Sequence, residues 1–263
     1  MQKIAILSDI HANLPALEAV LREVEQCGVD IIVFLGDIVG YGASPAECVD
    51  RVRENGGECV MGNHDIAIKR IRMRGRQGMS PGWEKSPYFA GLLHAAESLN
   101  FEQVSWLEHL PFTLKIPGAV VAHTNLHEPE SFEPIDECPT VAATLQKLTS
   151  ESSEVGFFGH THTQEVFPVR AEIQWFDRMR FRITNNQPCL VWVGSVGCPE
   201  RESGIRPKYD LRASWVLWDP AERIVEFRKT DYNRLQAARD IINAGLPLES
   251  ARQLLASEEA EFL

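Results

Sequence analysis

Four strand-length, mostly apolar segments in the first 160 residues of this chain each end in side chains that can bind a metal or move a proton. The run over 4–7 leads into Ser8-Asp9-Ile10-His11, and the run over 31–35 leads into Gly36-Asp37. The run over 58–61 leads into Gly62-Asn63-His64-Asp65, and the run over 155–158 leads into Gly159-His160-Thr161-His162. An apolar run of about four to eight residues bounded by turn residues suits a strand buried on both faces of a covered sheet. Side chains at the ends of such strands converge on one sheet edge, which is where open α/β folds place their ligands.

Read in order, the chain opens with a strand over 3–8 and a helix over 13–27. In that helix Leu14, Leu17, Val20, Leu21 and Val24 share one face. Asn13 and Pro15 suit its start and Gly28 its stop. A second strand over 30–35 completes a parallel crossover unit. A helix from Ser44-Pro45 to about residue 55 and a third strand over 58–61 follow. Residues 66–100 carry no strand signal; helices are expected over 88–99 and 102–109. A hairpin or strand over 114–123 ends in His123. An irregular loop spans 124–138, and a helix 140–149. From about 164 the pattern changes to short alternating runs over 166–169, 173–176, 181–183 and 190–193, then an antiparallel pair over 213–219 and 224–229. Helices over 233–243 and 248–256 close the chain. No proline-rich linker divides 1–263, so one domain with two sheets is expected.

The formal charge of −11 counts against a nonspecific nucleic-acid binder, which usually carries a basic face. It does not count against a phosphorylated substrate, because bound divalent ions reverse the local field. The six cysteines form no CxxC pair and read as reduced thiols. Met1-Gln2-Lys3 leads into a strand without a signal-peptide pattern, and no long uncharged apolar stretch suits a membrane span. A cytoplasmic protein is therefore expected.

Asp9, His11, Asp37, Asn63, His123, His160 and His162 are the candidate metal ligands. Carboxylate, imidazole and amide oxygen without thiolate suit Mn, Fe, Co, Ni or Zn, and do not choose among them. Two ions need about this many protein groups if one carboxylate bridges, and Asp37 is the expected bridge. Two divalent ions, less the charges of Asp9, Asp37 and one bridging hydroxide, leave about one net positive charge, which favours an anionic substrate. A metal pair about 3.5–4 Å apart can hold phosphate oxygens and aim that hydroxide at phosphorus. His64, adjacent to Asn63 and pointing elsewhere, is assigned to the leaving-group oxygen as proton donor. His94 and His109 sit in helical sequence and read as structural. His127 lies in a loop four residues after His123, within possible reach of the site. The basic run Lys69, Arg70, Arg72, Arg74 and Arg76 reads first as a solvated helix face and second as a phosphate contact. Trp175, Trp192, Trp215 and Trp218 read as core.

At Asp9-x-His11, Gly36-Asp37, Gly62-Asn63-His64-Asp65, His123 and Gly159-His160-x-His162 the chain resembles the calcineurin-like metallophosphoesterase superfamily, and within it the small bacterial and archaeal phosphodiesterases. Gly194-Ser195-Val196-Gly197 resembles a turn of these smaller members, and Ala244-Gly245-Leu246-Pro247 does so more loosely. The resemblance implies a four-layer α/β/β/α sandwich of two mixed sheets flanked by helices. It implies one metal held by Asp9, His11, Asp37 and His162, a second by Asp37, Asn63, His123 and His160, and His64 as proton donor. Many relatives carry a second Asp three residues after the Gly-Asp pair, where it supports the catalytic His; here that position is Gly40. Asp65 is the candidate substitute.

The leading expectation is a dinuclear metal-dependent phosphoesterase acting on a phosphodiester or phosphomonoester. A non-catalytic scaffold of the same fold, used for protein interaction, is the alternative, and a metal-dependent nuclease a third reading. Residues 66–100 and 124–138 are the expected selectors of substrate, because loops around a fixed site usually set that choice.

Overall fold

β1 (Ile4–Leu7) is buried along its whole length, and its side chains divide between two cores. Successive residues of a strand point to opposite faces. Ala5 and Leu7 accordingly pack against helices, while Ile4 and Ile6 pack against a second sheet. The computed structural model describes residues 2–74, 82, 85–135, 137–198, 210–256 and 259.

After β1 come α1 (Leu14–Gln26), β2 (Ile31–Phe34), α2 (Pro45–Glu54), β3 (Glu58–Cys59) and α3 (Asn63–Arg74). Then follow α4 (Pro87–Ser98), α5 (Phe101–Glu108), β4 (Thr113–Ile116), β5 (Ala119–Ala122), α6 (Cys138–Ser150) and β6 (Val155–Phe158). The remainder is β7 (Gln164–Phe167), β8 (Ile173–Trp175), β9 (Arg180–Ile183), β10 (Cys189–Val193), β11 (Ala213–Asp219), β12 (Ile224–Thr230), α7 (Arg234–Asn243) and α8 (Leu248–Gln253). The expected start of α1 is realised, with the Asn13 side chain accepting the N–H of Ala16 at 3.2 Å.

A seven-stranded sheet has the order β3-β2-β1-β11-β12-β9-β8, and a five-stranded sheet the order β4-β5-β6-β10-β7. Both are mixed. β1, β2 and β3 run parallel, as do β5, β6 and β10, while β11 and β7 are antiparallel to their neighbours. Ile6, Val33 and Val216 of the first sheet meet Val121, Phe157 and Val191 of the second. The outer face of the first sheet is covered by Leu17 and Val20 of α1, Val49 of α2 and Leu92 of α4. The outer face of the second, with Val120, Phe158 and Trp192, is covered by Leu148 of α6. This is the expected four-layer α/β/β/α order. Burying an Ile, Leu or Phe contributes about 1.5–3 kcal/mol, so β1, β2 and β6, buried on both faces, hold their C-terminal ends in fixed places. β11, from the last quarter of the chain, pairs directly with β1 and completes the sheet that begins at residue 4.

Several expectations change. The third strand is two residues long and not four, because Val60 and Met61 leave the ladder for Phe34 O and the more distant Pro111 O. The stretch after it is α3, a helix that begins at Asn63 itself. The 114–123 segment is the hairpin of the two forms expected, β4 with β5. Trp215 and Trp218 are fully buried and Trp192 nearly so, but Trp175 is 48% exposed, because β8 is an edge strand without a covering layer on that side chain. Cys27, Cys48, Cys59, Cys189 and Cys198 are free. No helix among the described residues is long and apolar enough to cross a membrane.

Candidate metal centre

The parallel strands deliver their C-terminal ends to one edge of the sandwich. β1 supplies Asp9 and His11, β2 supplies Asp37, β5 supplies His123, and β6 supplies His160 and His162. Asn63 arrives from the first turn of α3. Five of these residues have left-handed backbone: Asp9 (φ 54°), His11 (49°), Asp37 (52°), His160 (67°) and His162 (60°). Each such residue costs about 1–3 kcal/mol and persists only where its surroundings determine it. The surroundings do so here. Asp9 N–H donates to Gly36 O at 3.1 Å, His11 N–H to Asp37 O at 2.9 Å, Gly197 N–H to Asp9 O at 2.9 Å, and His160 N–H to Asp9 Oδ2 at 2.9 Å.

The Asp37 loop is held from below by Asp65. Its carboxylate accepts the backbone N–H of Asp37 at 2.8 Å, Ile38 at 3.0 Å, Val39 at 3.3 Å and Gly62 at 3.1 Å. Asp65 therefore supports the loop backbone and not the ring of His64, contrary to the role considered from sequence. Gly62 lies directly against Asp37: a side-chain carbon on it would stand 2.9 Å from Asp37 Cα and overlap the carboxylate. His64 N–H then donates to Asp37 Oδ1 at 2.8 Å, leaving Oδ2 to face the histidines.

The side chains meet through atoms that can each bind a metal ion. His11 Nδ1 donates to Val39 O at 3.3 Å, and His123 Nδ1 donates to Leu35 O at 2.6 Å. A carbonyl can only accept, so both rings carry a proton on Nδ1 and turn Nε2 inward, where it can bind a cation once any second proton is lost. His11 Nε2 lies 3.0 Å from His162 Nε2 and 3.6 Å from Asp9 Oδ1, with His162 Nε2 3.2 Å from the same oxygen. Asp9 Oδ1 is buried and makes no well-aligned hydrogen bond among the described residues, with His162 Nε2 as its nearest histidine neighbour. Beside this group, His123 Nε2 lies 3.0 Å from Asn63 Oδ1 and 3.4 Å from Asp37 Oδ2, and His160 Nδ1 lies 3.0 Å from Asn63 Oδ1. His11 Nε2 is 3.9 Å from Asp37 Oδ2, so Asp37 sits between the two groups. Asp9, His11 and His162 are placed to hold a metal ion, as are Asp9, Asp37 and His123, and His11, Asp37 and His64. A buried carboxylate oxygen without a well-aligned hydrogen bond, among converging ligand atoms, fits a cation, and the N/O donor set without sulfur fits the divalent ions named above.

The electrostatics agree. Burial opposes ionisation of Asp9, yet His162 and its neighbours hold it well below the carboxylate range. Burial likewise opposes ionisation of Asp37, and His123 and His64 hold it low. Desolvation would lower His123, but the Asp37 charge outweighs it and raises the ring to about 9. His162 is raised well above its usual value against the same desolvation, chiefly by Asp9. Two buried carboxylates thus draw positive charge into the cluster, and a bound cation displaces such protons. His64 behaves differently: desolvation lowers it to about 3 despite Asp37.

All seven candidate ligands and His64 meet in this cluster. His127 does not; its Nδ1 lies 3.4 Å from Thr144 Oγ1 on α6. His94 and His109 bond to backbone carbonyls of Ala43 and Ser105. Of the basic run, Lys69 pairs with Glu108 and Arg72 reaches Leu99 O, while Arg76 lies outside the described residues. Two residues escaped the sequence reading. Tyr41 and Tyr88 stack edgewise or tilted on the histidines, with ring centroids 4.9 and 4.8 Å from that of His64. The signal for Tyr41 was its place in the Gly40-Tyr41-Gly42 loop; nothing local marks Tyr88.

Residues 2–206 match the family model of the calcineurin-like phosphoesterase superfamily domain. The chain is 29% identical over 253 residues to the uncharacterized protein MJ0912 of Methanocaldococcus jannaschii, with 93% of each chain covered. It is 33% identical over 81 residues to phosphodiesterase YfcE of Escherichia coli K12, a match covering 27% of this chain and 44% of YfcE. The crystal structure of a metallophosphoesterase from Sphaerobacter thermophilus is similar with a TM-score of 0.74 and 27% identity, covering 96% of this chain and 98% of that one.

Proposed function

The chain belongs to the calcineurin-like phosphoesterase superfamily, and we propose that it is a dinuclear metal-dependent phosphoesterase that hydrolyses a phosphodiester or phosphomonoester. The observation that carries this reading is the convergence of two groups of nitrogen and oxygen ligand atoms on either side of Asp37, with Asp9 Oδ1 buried between His11 and His162. One ion would be held by Asp9, His11, Asp37 and His162, and the other by Asp37, Asn63, His123 and His160. When bound, the ions polarise phosphoryl oxygens and lower the pKa of water. The chain supplies the rest. Asp37 would serve both positions, on a backbone held by Asp65. The Val39 and Leu35 carbonyls orient His11 and His123. His64, 3.9 Å from Asp37 Oδ2 through Nε2, is kept neutral by desolvation and would need the charge of a bound phosphoryl group to hold a proton at that atom for the departing oxygen.

The name of YfcE supports the diesterase side of the reading over the 81 matched residues. The loops over 66–100 and 124–138 are the proposed selectors of substrate. The whole of 1–263 would act as one domain, a reading supported by the pairing of β11 with β1. The test joins metal analysis of the purified protein to hydrolysis of mono-aryl and bis-aryl phosphates across Mn, Fe, Co, Ni and Zn. Two ions per chain with turnover of either ester would support the enzyme. Bound metal without turnover of both esters under every ion would favour the scaffold.

A further inference from the structure

Among the described residues no carboxylate backs the Nδ1 of His64. That atom is buried and has no hydrogen-bond partner among the described residues. Gly40, with φ 99°, lies against that atom: a side-chain carbon there would overlap Nδ1 and stand 3.0 Å from Cε1 and 3.1 Å from Cγ. The imidazole therefore fills the space in which an acidic side chain at position 40 would begin.

What surrounds the ring instead is aromatic. Tyr88, from α4, meets it edge to face with centroids 4.8 Å apart and planes at 72°. Tyr41 meets it at 4.9 Å and 47°, and His11 at 4.7 Å and 67°. The two tyrosines are themselves 6.5 Å apart. α4 is seated close: a side-chain carbon on Gly91 would stand 2.7 Å from Tyr41 Cα. Such contacts lock a ring's tilt without a hydrogen bond.

We propose that Tyr88, with Tyr41, is a positioning residue that holds the imidazole of His64 by ring packing, in the place of a hydrogen-bonded carboxylate. The proposal rests on the reading of His64 as proton donor. Tyr88 is the cleaner of the two to test, since Tyr41 also lies 4.7 Å from the ring of His11.

The experiment compares Tyr88→Leu, Tyr88→Met and Tyr88→Phe on phenyl and 4-nitrophenyl phosphate esters, after metal content and thermal unfolding show each variant intact. A poor leaving group needs the proton and an activated one much less. Tyr88→Leu and Tyr88→Met should lower kcat on the phenyl ester about tenfold, with little change in KM and a smaller loss on the nitrophenyl ester. Tyr88→Phe should retain both rates. In a His64→Ala background Tyr88→Leu should no longer change the ratio of the two esters. Equal losses on both esters, equal losses in Tyr88→Phe and Tyr88→Leu, or an effect that survives His64→Ala would overturn the proposal. If His64→Ala itself treats the esters alike, the donor reading fails and takes this proposal with it. If His64→Ala separates them and Tyr88→Leu does not, this proposal alone fails. Crystal structures of the parent and Tyr88→Leu give a readout independent of turnover: the His64 ring should rotate or split into two conformers, and an unmoved ring would contradict the proposal.

Discussion

The carboxylate of Asp65 accepts the backbone N–H of Asp37 at 2.8 Å, so one buried acid positions another through the main chain. The same carboxylate takes the N–H groups of Ile38, Val39 and Gly62. Asp65→Ala would leave four buried donors without an acceptor. Each unsatisfied donor costs about 1–3 kcal/mol, and the set is not additive. Denaturant unfolding should show a loss on the order of 3 kcal/mol or more, together with weaker metal binding. A loss below about 1 kcal/mol would show that the loop does not depend on Asp65.

Gly62 is required for space and not for a left-handed backbone. Gly62→Ala places a carbon 2.9 Å from Asp37 Cα, where main chain and not a flexible side chain is the obstacle. The expected result is a destabilisation of about 2 kcal/mol or more with impaired metal binding. A variant with unchanged unfolding midpoint and metal content would show that the β2 and β3 loops separate easily.

Asp37→Ala should reduce metal at both positions, because its carboxylate stands between the two groups of ligand atoms. Titration by calorimetry or elemental analysis checks this. His162→Ala should weaken one position and leave the other. A variant of Asp37 that binds two ions at parental affinity would remove the bridge from the account.

Metal binding should stabilise the fold. In the cluster His11 Nε2 and His162 Nε2 stand 3.0 Å apart beside a buried carboxylate oxygen, and five of the residues carry strained backbone. Ions that bind only the folded state at about a hundred times their Kd add about 2.7 kcal/mol. Chelation should therefore lower Tm, and the matching divalent ion should restore it. An unchanged Tm after complete removal of metal would contradict this.

The sequence was most legible where a buried strand ends in a polar residue. Asp9, Asp37, His123 and His160 each follow a run that packs on both faces, and burial on both faces leaves an unbroken apolar signature. Pairings between strands near in sequence were legible, β1 with β2 and β11 with β12, but the distant ones were not. β11 lies beside β1 although some 200 residues separate them, and no local pattern encodes that pairing. The start of α3 was missed, although a helix face was read from Lys69 onward, because its buried residues are His64, Asp65, Ile68 and Ile71. Two of the four are polar, so the helical stripe is broken where the site begins. Asp65 was recognisable as an acid beside a histidine, but its partners are backbone N–H groups, which leave no trace in side-chain spacing. Tyr88 reaches His64 only through the packing of α4 on the Tyr41 loop.

The most direct measurement counts metal in the purified chain and follows its turnover of phenyl and 4-nitrophenyl phosphate esters, with His64→Ala alongside. About two divalent ions per chain and measurable hydrolysis are expected. His64→Ala should keep its metal and lose more rate on the phenyl ester than on the nitrophenyl ester. A chain that binds its ions fully and turns over neither mono- nor bis-aryl esters with any of the five metals would contradict the phosphoesterase reading. A His64→Ala variant with parental rates on both esters would contradict the role of His64.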